Sequence, residues 1–245
     1  MGREADIFDA LVHHRRAVRA FEMEGPFDHD AVARSIERAI LSPTSSNLQL
    51  WEFHRVRSAE KRQQLAAICL GQRAATTARE LVVVVVRKDL WRQRCRAVLQ
   101  IQREAFERSG DGALSDRQQR ALQYWRKVVP FVYISGFGLF DVLKWVLSRI
   151  VGLFRPTPRE LSSAAMWTSA HRSVALGAMT FMLSMASEGL DTCPIEGHDS
   201  TRIKRLLGLP WTAEISMVIA CGRRTEEGVY GPRLRLAAED VSAEH

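Results

Sequence analysis

The chain reads as an α+β fold, a few buried strands wrapped by long helices. Three observations carry that reading. Leu81–Val86 is a run of six aliphatic residues, five of them valine, which marks a central strand buried on both faces. Ile215–Cys221 is a second apolar run of strand length. Residues 88–130 and Glu160–Glu188 carry helical patterns far longer than any strand.

The elements follow in order. Ile7–Arg16 reads as a short amphipathic helix, with Ile7, Phe8, Leu11 and Val12 on one side and the basic run His13-His14-Arg15-Arg16 closing it. Asp28 is a good N-cap for a helix reaching about Leu41. Pro43-Thr44-Ser45-Ser46-Asn47 is a loop by composition. Trp51–Val56 is strand-like, and Ser58 caps a helix to about Leu70. Residues 88–130 are helical and strongly charged; Pro156 and Pro158 then break the chain before the long helix Glu160–Glu188. That helix is rich in Ala, Ser and Met, so another helix can approach it closely, and Gly189 suits its C′ position. Asp191–Asp199, holding Pro194 and Gly197, is expected to be a loop, followed by a short helix to about Leu207. The tail Gly228–Leu236 is extended and basic. With no repeat or linker, residues 1–245 are expected to form one domain, with an atypical apolar helical insertion at about 110–160.

Composition narrows the function. The chain has 245 residues, enough for one sizeable core, and 46% hydrophobic with 26% charged residues exclude disorder. The net charge is +7, but the basic residues are spread along the chain without a long block. The pattern of a known RNA-binding module is absent, so no nucleic-acid partner is expected, and small anions such as cofactor phosphates fit the charge best. Cys69, Cys95, Cys193 and Cys221 show no C-x-x-C spacing and read as free thiols of a reducing, cytoplasmic compartment. Met1–Ile7 carries three charges and no apolar core, unlike a signal peptide, and Asp6 stands where myristoylation needs Ser or Thr. Val128–Phe154 is greasy, yet its longest uncharged run, Val128–Phe140, is too short to span a bilayer.

Four separated segments suit one anion-and-ring site. Arg15-Arg16-Ala17-Val18-Arg19-Ala20-Phe21 holds three arginines in five residues, which can meet a phosphate and another electron-rich group. Taken alone, it reads better as a solvated basic helix end. Ser42–Trp51 places small hydroxyl and amide side chains between a helix and a strand, equally an ordinary capped turn. Gly189–Gly197 is shaped by Pro and Gly to expose backbone N–H groups. Arg233-Leu234-Arg235 sets two guanidinium groups on one side of an extended chain, where a solvated tail is the plainer fate.

In this order and spacing the segments resemble the nitroreductase family of FMN-dependent oxidoreductases. Arg15–Phe21 is similar to the family's opening Arg-Arg/His-Ser stretch, and Pro43–Trp51 to its Pro-Ser/Thr-Ser/Thr-x-Asn-x-Gln-Pro-Trp loop. Gly189–Asp199 is similar to the Gly-Leu-x-Thr-x-Pro-Ile-x-Gly segment, followed by a Leu-Gly-Leu-Pro turn at 207–210, and Arg233 with Arg235 to the closing basic pair. The resemblance covers roughly residues 5–100 and 165–236. It implies a central, mostly antiparallel sheet wrapped by helices and a homodimer with FMN at the subunit interface. NADPH or NADH would be the electron donor, and a small electron-poor molecule, such as a nitroaromatic or quinone, the acceptor.

The resemblance also implies roles. Arg15, Arg16, Ala17 and Arg19 would sit on FMN, with Arg19 near the pyrimidine edge. Arg233 and Arg235 would grip the phosphate. Pro43, Thr44, Ser45 and Asn47 would reach the flavin held mainly by the other subunit, and Gln72 would bond the pyrimidine edge. Pro194, Ile195, Glu196 and Gly197 would lie against the ring, with the Glu196 backbone N–H facing N5, so that no side chain need act as acid or base. Ala17 replaces the usual Ser and Leu50 the usual Pro. Residues 110–160 have no counterpart in the pattern, and that insertion is expected to cover the flavin pocket or extend the dimer contact. No metal is expected: His171 reads as a core histidine, Cys193 and the set Met179, Met182 and Met185 as packing. Gly136-Phe137-Gly138 lacks the third glycine of a dinucleotide fingerprint. The other class weighed is a non-catalytic flavin-binding or interaction protein whose segment 128–154 docks a partner or a membrane surface. A flavin-dependent dehalogenase or dehydrogenase stays open on the same scaffold.

Overall fold

The computed structural model describes residues 2–108, 114–134 and 138–245. Gly136 and Phe137 of the glycine motif lie outside them. The helices in chain order are α1 (Arg3–His14), α2 (His29–Ala39), α3 (Ala59–Ile68), α4 (Arg73–Thr76), α5 (Trp91–Arg108), α6 (Asp116–Gln123), α7 (Val129–Tyr133), α8 (Leu139–Phe154), α9 (Ser163–Ser187), α10 (Ser200–Leu207) and α11 (Ala238–Val241). Four strands, β1 (Trp51–Val56), β2 (Glu80–Val86), β3 (Asp191–Ile195) and β4 (Glu214–Gly222), form one sheet in the order β1-β2-β4-β3. Every neighbouring pair is antiparallel, so the fold is α+β as expected.

The valine run explains the architecture. All seven residues of β2 are buried, and alternation sends them to opposite faces. Leu81, Val83 and Val85 join a cluster with Leu65 of α3, Ala75 of α4 and Ile203 of α10. Val82, Val84 and Val86 join Val174, Phe181 and Met185 of α9 on the other face. Each aliphatic side chain so buried contributes about 1.5–3 kcal/mol relative to exposure. The strand therefore glues two helical layers to one sheet.

α9 is the longest helix, and its ends are set by local chemistry. The Ser162 hydroxyl accepts from the Ala165 N–H at 3.2 Å. At the other end Gly189 adopts φ +70°, the Gly189 N–H donates to Ala186 and the Leu190 N–H donates to Met185. That pair of bonds is a Schellman termination. The small residues do allow another helix close: Ser184 Oγ donates to Ser35 Oγ of α2 at 3.0 Å, both side chains buried. The helix starts at Ser163 rather than Glu160.

Three expectations need correction. Asp191–Asp199 is not all loop, because Asp191–Ile195 pairs with β4 as the edge strand β3. Pro194 is tolerated there because an edge strand leaves one side of its backbone outside the sheet ladder. The first helix begins at Arg3 and ends at His14, so Arg15 and Arg16 are already extended chain. The charged stretch 88–130 is broken into α5, α6, a π turn at Tyr124–Val128 and α7. Trp125 and Val129 of this stretch, with Tyr133 just beyond it, are buried in the main core, so this part of the insertion is structural.

One buried ion pair locks β1 to β2. The Glu80 side chain is fully buried and accepts from Arg55 Nε at 2.5 Å and His29 Nδ1 at 2.5 Å. Removing Arg55 takes away the permanent positive charge beside the buried carboxylate and leaves His29 as its remaining basic partner. Arg55→Leu is therefore expected to lower stability by about 3–5 kcal/mol in urea unfolding. A loss below about 1 kcal/mol would show that water already reaches Glu80.

Candidate functional site

The segment after α1 runs extended along the free edge of β3. Ala17 bridges Thr192 in parallel, and the Val18 N–H donates to the Thr192 carbonyl at 3.1 Å. Strand alternation buries Val18 and Ala20 and turns Ala17 and Arg19 outward. The tail closes over this segment: the Arg19 N–H donates to the Gly228 carbonyl. A Cβ on Gly228 would come within 2.6 Å of the Ala20 carbonyl oxygen, so that close approach requires glycine.

This backbone pairing brings the first and last predicted segments onto one cavity of about 390 Å³. Arg15, Arg16, Ala17, Arg19, Arg233 and Arg235 all line it. Sequence reasoning missed Val229, Tyr230 and Pro232, which complete the wall; only their place just before the basic pair could have pointed to them. Among the described residues the lining holds five guanidinium groups and no carboxylate. Burial, then the charges of Arg233, Arg235 and Arg16, hold Arg15 below the ordinary arginine value. Arg15 Nε is buried without a hydrogen-bond partner. These features fit an anion such as the FMN phosphate, which supplies acceptors and opposite charge together.

Each arginine has a different tether. Arg16 Nη2 donates to the Gly231 carbonyl at 2.9 Å. Arg233 Nη2 donates to the carbonyls of Val12, His13 and Arg15, at 3.1, 3.1 and 2.6 Å. It thereby caps the C-terminal end of α1, where carbonyls lack helical partners. Arg235 Nη1 reaches only the adjacent Leu234 carbonyl at 2.6 Å, and its side chain is exposed. Arg224, unremarked in the sequence, donates through its backbone N–H and guanidinium to Asp191 and also meets the His14 carbonyl. It ties β3 to the end of α1.

The third segment stands beside the same edge. Cys193 is fully buried in β3 within reach of the Arg19 charge, while Glu196 and Gly197 are exposed just past the strand. Gln72 Nε2 donates to the Gly197 carbonyl at 2.9 Å, which sets Gln72 against the Pro194–Gly197 segment. Two left-handed residues, Leu70 at φ +60° and Gly71 at φ +63°, set the turn that presents it. Non-glycine residues in that region store strain, as functional sites often do.

Pro43, Thr44, Ser45 and Asn47 are not brought to this cavity. Their loop packs on α9 and the insertion instead: the Ser45 N–H donates to Ser173 Oγ at 3.0 Å, and Ser46 Oγ lies 2.8 Å from the Tyr124 hydroxyl. Ser46, Asn47 and Gln49 have φ of +51°, +46° and +50°, a second strained cluster. Leu50, which stands where the pattern has Pro, is a buried core residue. His171 is half-exposed and bonds Glu214 at 2.8 Å rather than sitting in the core. A cavity of about 620 Å³ beside α3 and α4 is lined by none of the expected flavin residues.

Comparison with known proteins agrees with the motif reading. The nitroreductase family model matches residues 12–223, spanning the insertion and stopping before Arg233. The Synechocystis protein DrgA is 24% identical, covering 91% of this chain and 86% of its own. A protein of Exiguobacterium sibiricum solved in complex with FMN superposes with TM-score 0.69 at 22% identity, covering 97% of each chain. The NADPH:FMN oxidoreductase of Vibrio harveyi, complexed with NAD+, gives TM-score 0.58 at 18% identity over 97% of this chain and 76% of its own. At these identities the solved structures speak for the fold alone.

Two expectations follow from the geometry. Arg233→Met should lower the stability of the cofactor-free protein by about 1–2 kcal/mol through loss of its carbonyl bonds. Arg235→Met should change it by less than about 0.5 kcal/mol; equal losses would contradict the division of labour. Burial pushes the Cys193 thiol up, and that of Cys69 up to about 11. Both stay protonated and shielded, so Ellman's reagent should label the folded protein negligibly and all four cysteines after denaturation. Rapid labelling of folded Cys193 would identify it as a reactive thiol. With the arginine cavity, β3 edge and Gln72 turn in place, and a family match over most of its length, the chain belongs to the nitroreductase family.

Proposed function

We propose that this chain is a single-domain, homodimeric FMN enzyme. It takes hydride from NADPH or NADH and passes it to a small electron-poor acceptor such as a nitroaromatic or a quinone. The observation that carries the reading is the cavity of five arginines without a carboxylate, with one buried guanidinium nitrogen left unpartnered. Bound FMN would supply the hydride relay through its N5. The protein supplies position and charge.

Arg15 and Arg235 hold the phosphate, helped by the charge of Arg233 while that residue anchors α1. Ala17 offers no hydroxyl, which leaves the phosphate to guanidinium donors. Arg16 holds the closing turn at Gly231. Arg19 and Gln72 address the pyrimidine edge, and the segment of Pro194, Ile195, Glu196 and Gly197, exposed at its last two residues, lies against the ring. Pro43, Thr44, Ser45 and Asn47 do not line their own chain's cavity, as a two-fold assembly in which they serve the partner's flavin would have it. The buried free cysteines suit a cytoplasmic setting.

The test is direct. Purified protein should be yellow, release FMN on denaturation and oxidise NADPH or NADH steadily when a nitroaromatic or quinone is supplied. Bound FMN without turnover of any acceptor would reduce the protein to a flavin carrier, and failure to bind FMN would end the assignment. Arg19→Met should lower the flavin's two-electron midpoint by about 20–65 mV, the equivalent of about 1–3 kcal/mol of charge stabilisation. Coincident midpoints at full occupancy would make Arg19 a solvated surface residue.

A further inference from the structure

Helix α8 is built inside out. A surface helix ordinarily turns its apolar stripe to the core and its charges to water. Here the buried positions are Lys144 and Ser148, 2% and 3% exposed. Lys144 Nζ donates to the carbonyls of Val132 at 2.8 Å and Ile134 at 2.5 Å, at the end of α7. Asp141 accepts from the Ser163 N–H and hydroxyl, both at 3.1 Å, and Arg159 donates to the carbonyls of Ser148 and Gly152, both at 3.1 Å. Polar bonds therefore attach the helix to the body. On the opposite arc Val142, Trp145, Val146, Ile150, Leu153 and Phe154 are exposed, the last two by 80% and 85%. Their i, i+3 and i+4 spacing makes them one continuous stripe.

The charge around that stripe is mostly positive, with exposed Glu160 just beyond it. Residues 124–159 contain six basic side chains, Arg126, Lys127, Lys144, Arg149, Arg155 and Arg159, and a single acid, Asp141, which is engaged with Ser163. Arg149 lies on the exposed arc with its guanidinium 5.4 Å from the Trp145 ring centre. A second copy of this face would bring it further apolar and basic side chains, with Asp141 already engaged by Ser163. A layer of anionic lipid answers both halves of the pattern, with hydrocarbon for the stripe and phosphates for the basic residues.

We propose that α8 lies in the plane of an anionic lipid surface. Its apolar arc sits at the headgroup–acyl boundary, and Arg149 and Arg155 extend to lipid phosphates. No helix among the described residues is long and apolar enough to cross a membrane, so the contact is interfacial. It brings the protein to apolar molecules dissolved in that surface.

Co-sedimentation of the full chain with phosphatidylcholine vesicles, with and without phosphatidylglycerol, tests the proposal. Binding should require the anionic lipid and weaken as salt rises. Arg149→Glu and the double change Ile150→Asp with Leu153→Asp should each lower vesicle affinity by about tenfold. Both lie on the exposed arc, so circular dichroism and thermal unfolding should stay as in the parent chain. Equal sedimentation with neutral and anionic vesicles, or none with either, would overturn the proposal. So would conversion of a dimer to a monomer by the double change, which would assign the face to a second copy.

Discussion

Five guanidinium groups share one cavity, and nothing in its lining neutralises them. An arginine cannot shed its proton to relieve the repulsion. The cost must be met by an incoming anion or by water, and the buried, unpartnered Nε of Arg15 shows where water does little. The rest of this region keeps those charges together. Arg224 clamps Asp191 of β3 to the end of α1. Arg233 caps the same helix end, and the tail hydrogen-bonds back over Arg19. A flexible arrangement would let the arginines separate and lose the site. The structure instead spends hydrogen bonds on holding like charges side by side.

The sheet makes that arrangement rigid. β2 is buried on both faces and fixes β4, which in turn fixes the edge strand β3. An edge strand offers one unpaired side, and here that side receives the arginine segment through the Ala17–Thr192 bridge. Among the described residues, left-handed non-glycine backbone is confined to two places, the Ser46–Gln49 loop and Leu70 before Gly71 and Gln72. Both belong to segments read as flavin contacts, as expected where geometry over-determines the backbone. Chemistry and strain thus gather at the rim of the sheet, while the centre supplies stability.

Much of the fold was legible because its signals were local. A valine run can hardly be other than a buried strand, Asp28 and Ser58 do cap their helices, and Gly189 ends α9 as its position implied. β3 was hidden because Pro194 and Gly197 advertise a turn, and only its edge position makes a proline acceptable. The double duty of Arg233 was hidden because its partners are carbonyls more than two hundred residues away in sequence. The inward face of α8 was hidden for a further reason. Periodicity shows that a helix has two faces, but not which one the tertiary structure turns inward, and here three polar anchors reversed the usual choice. The arginine pattern of the site survived because extended-chain alternation preserves it from sequence to space.

The central claim is that the arginine cavity recognises the phosphate of FMN. Titration of cofactor-free protein with FMN and with riboflavin, for the parent chain and for Arg235→Ala, tests it most directly. Charge-assisted hydrogen bonds contribute about 1.5–3 kcal/mol each. The parent should therefore prefer FMN, and Arg235→Ala should weaken FMN by about tenfold or more while leaving riboflavin nearly unchanged. Equal losses for the two ligands, or no preference for FMN in the parent chain, would contradict the account.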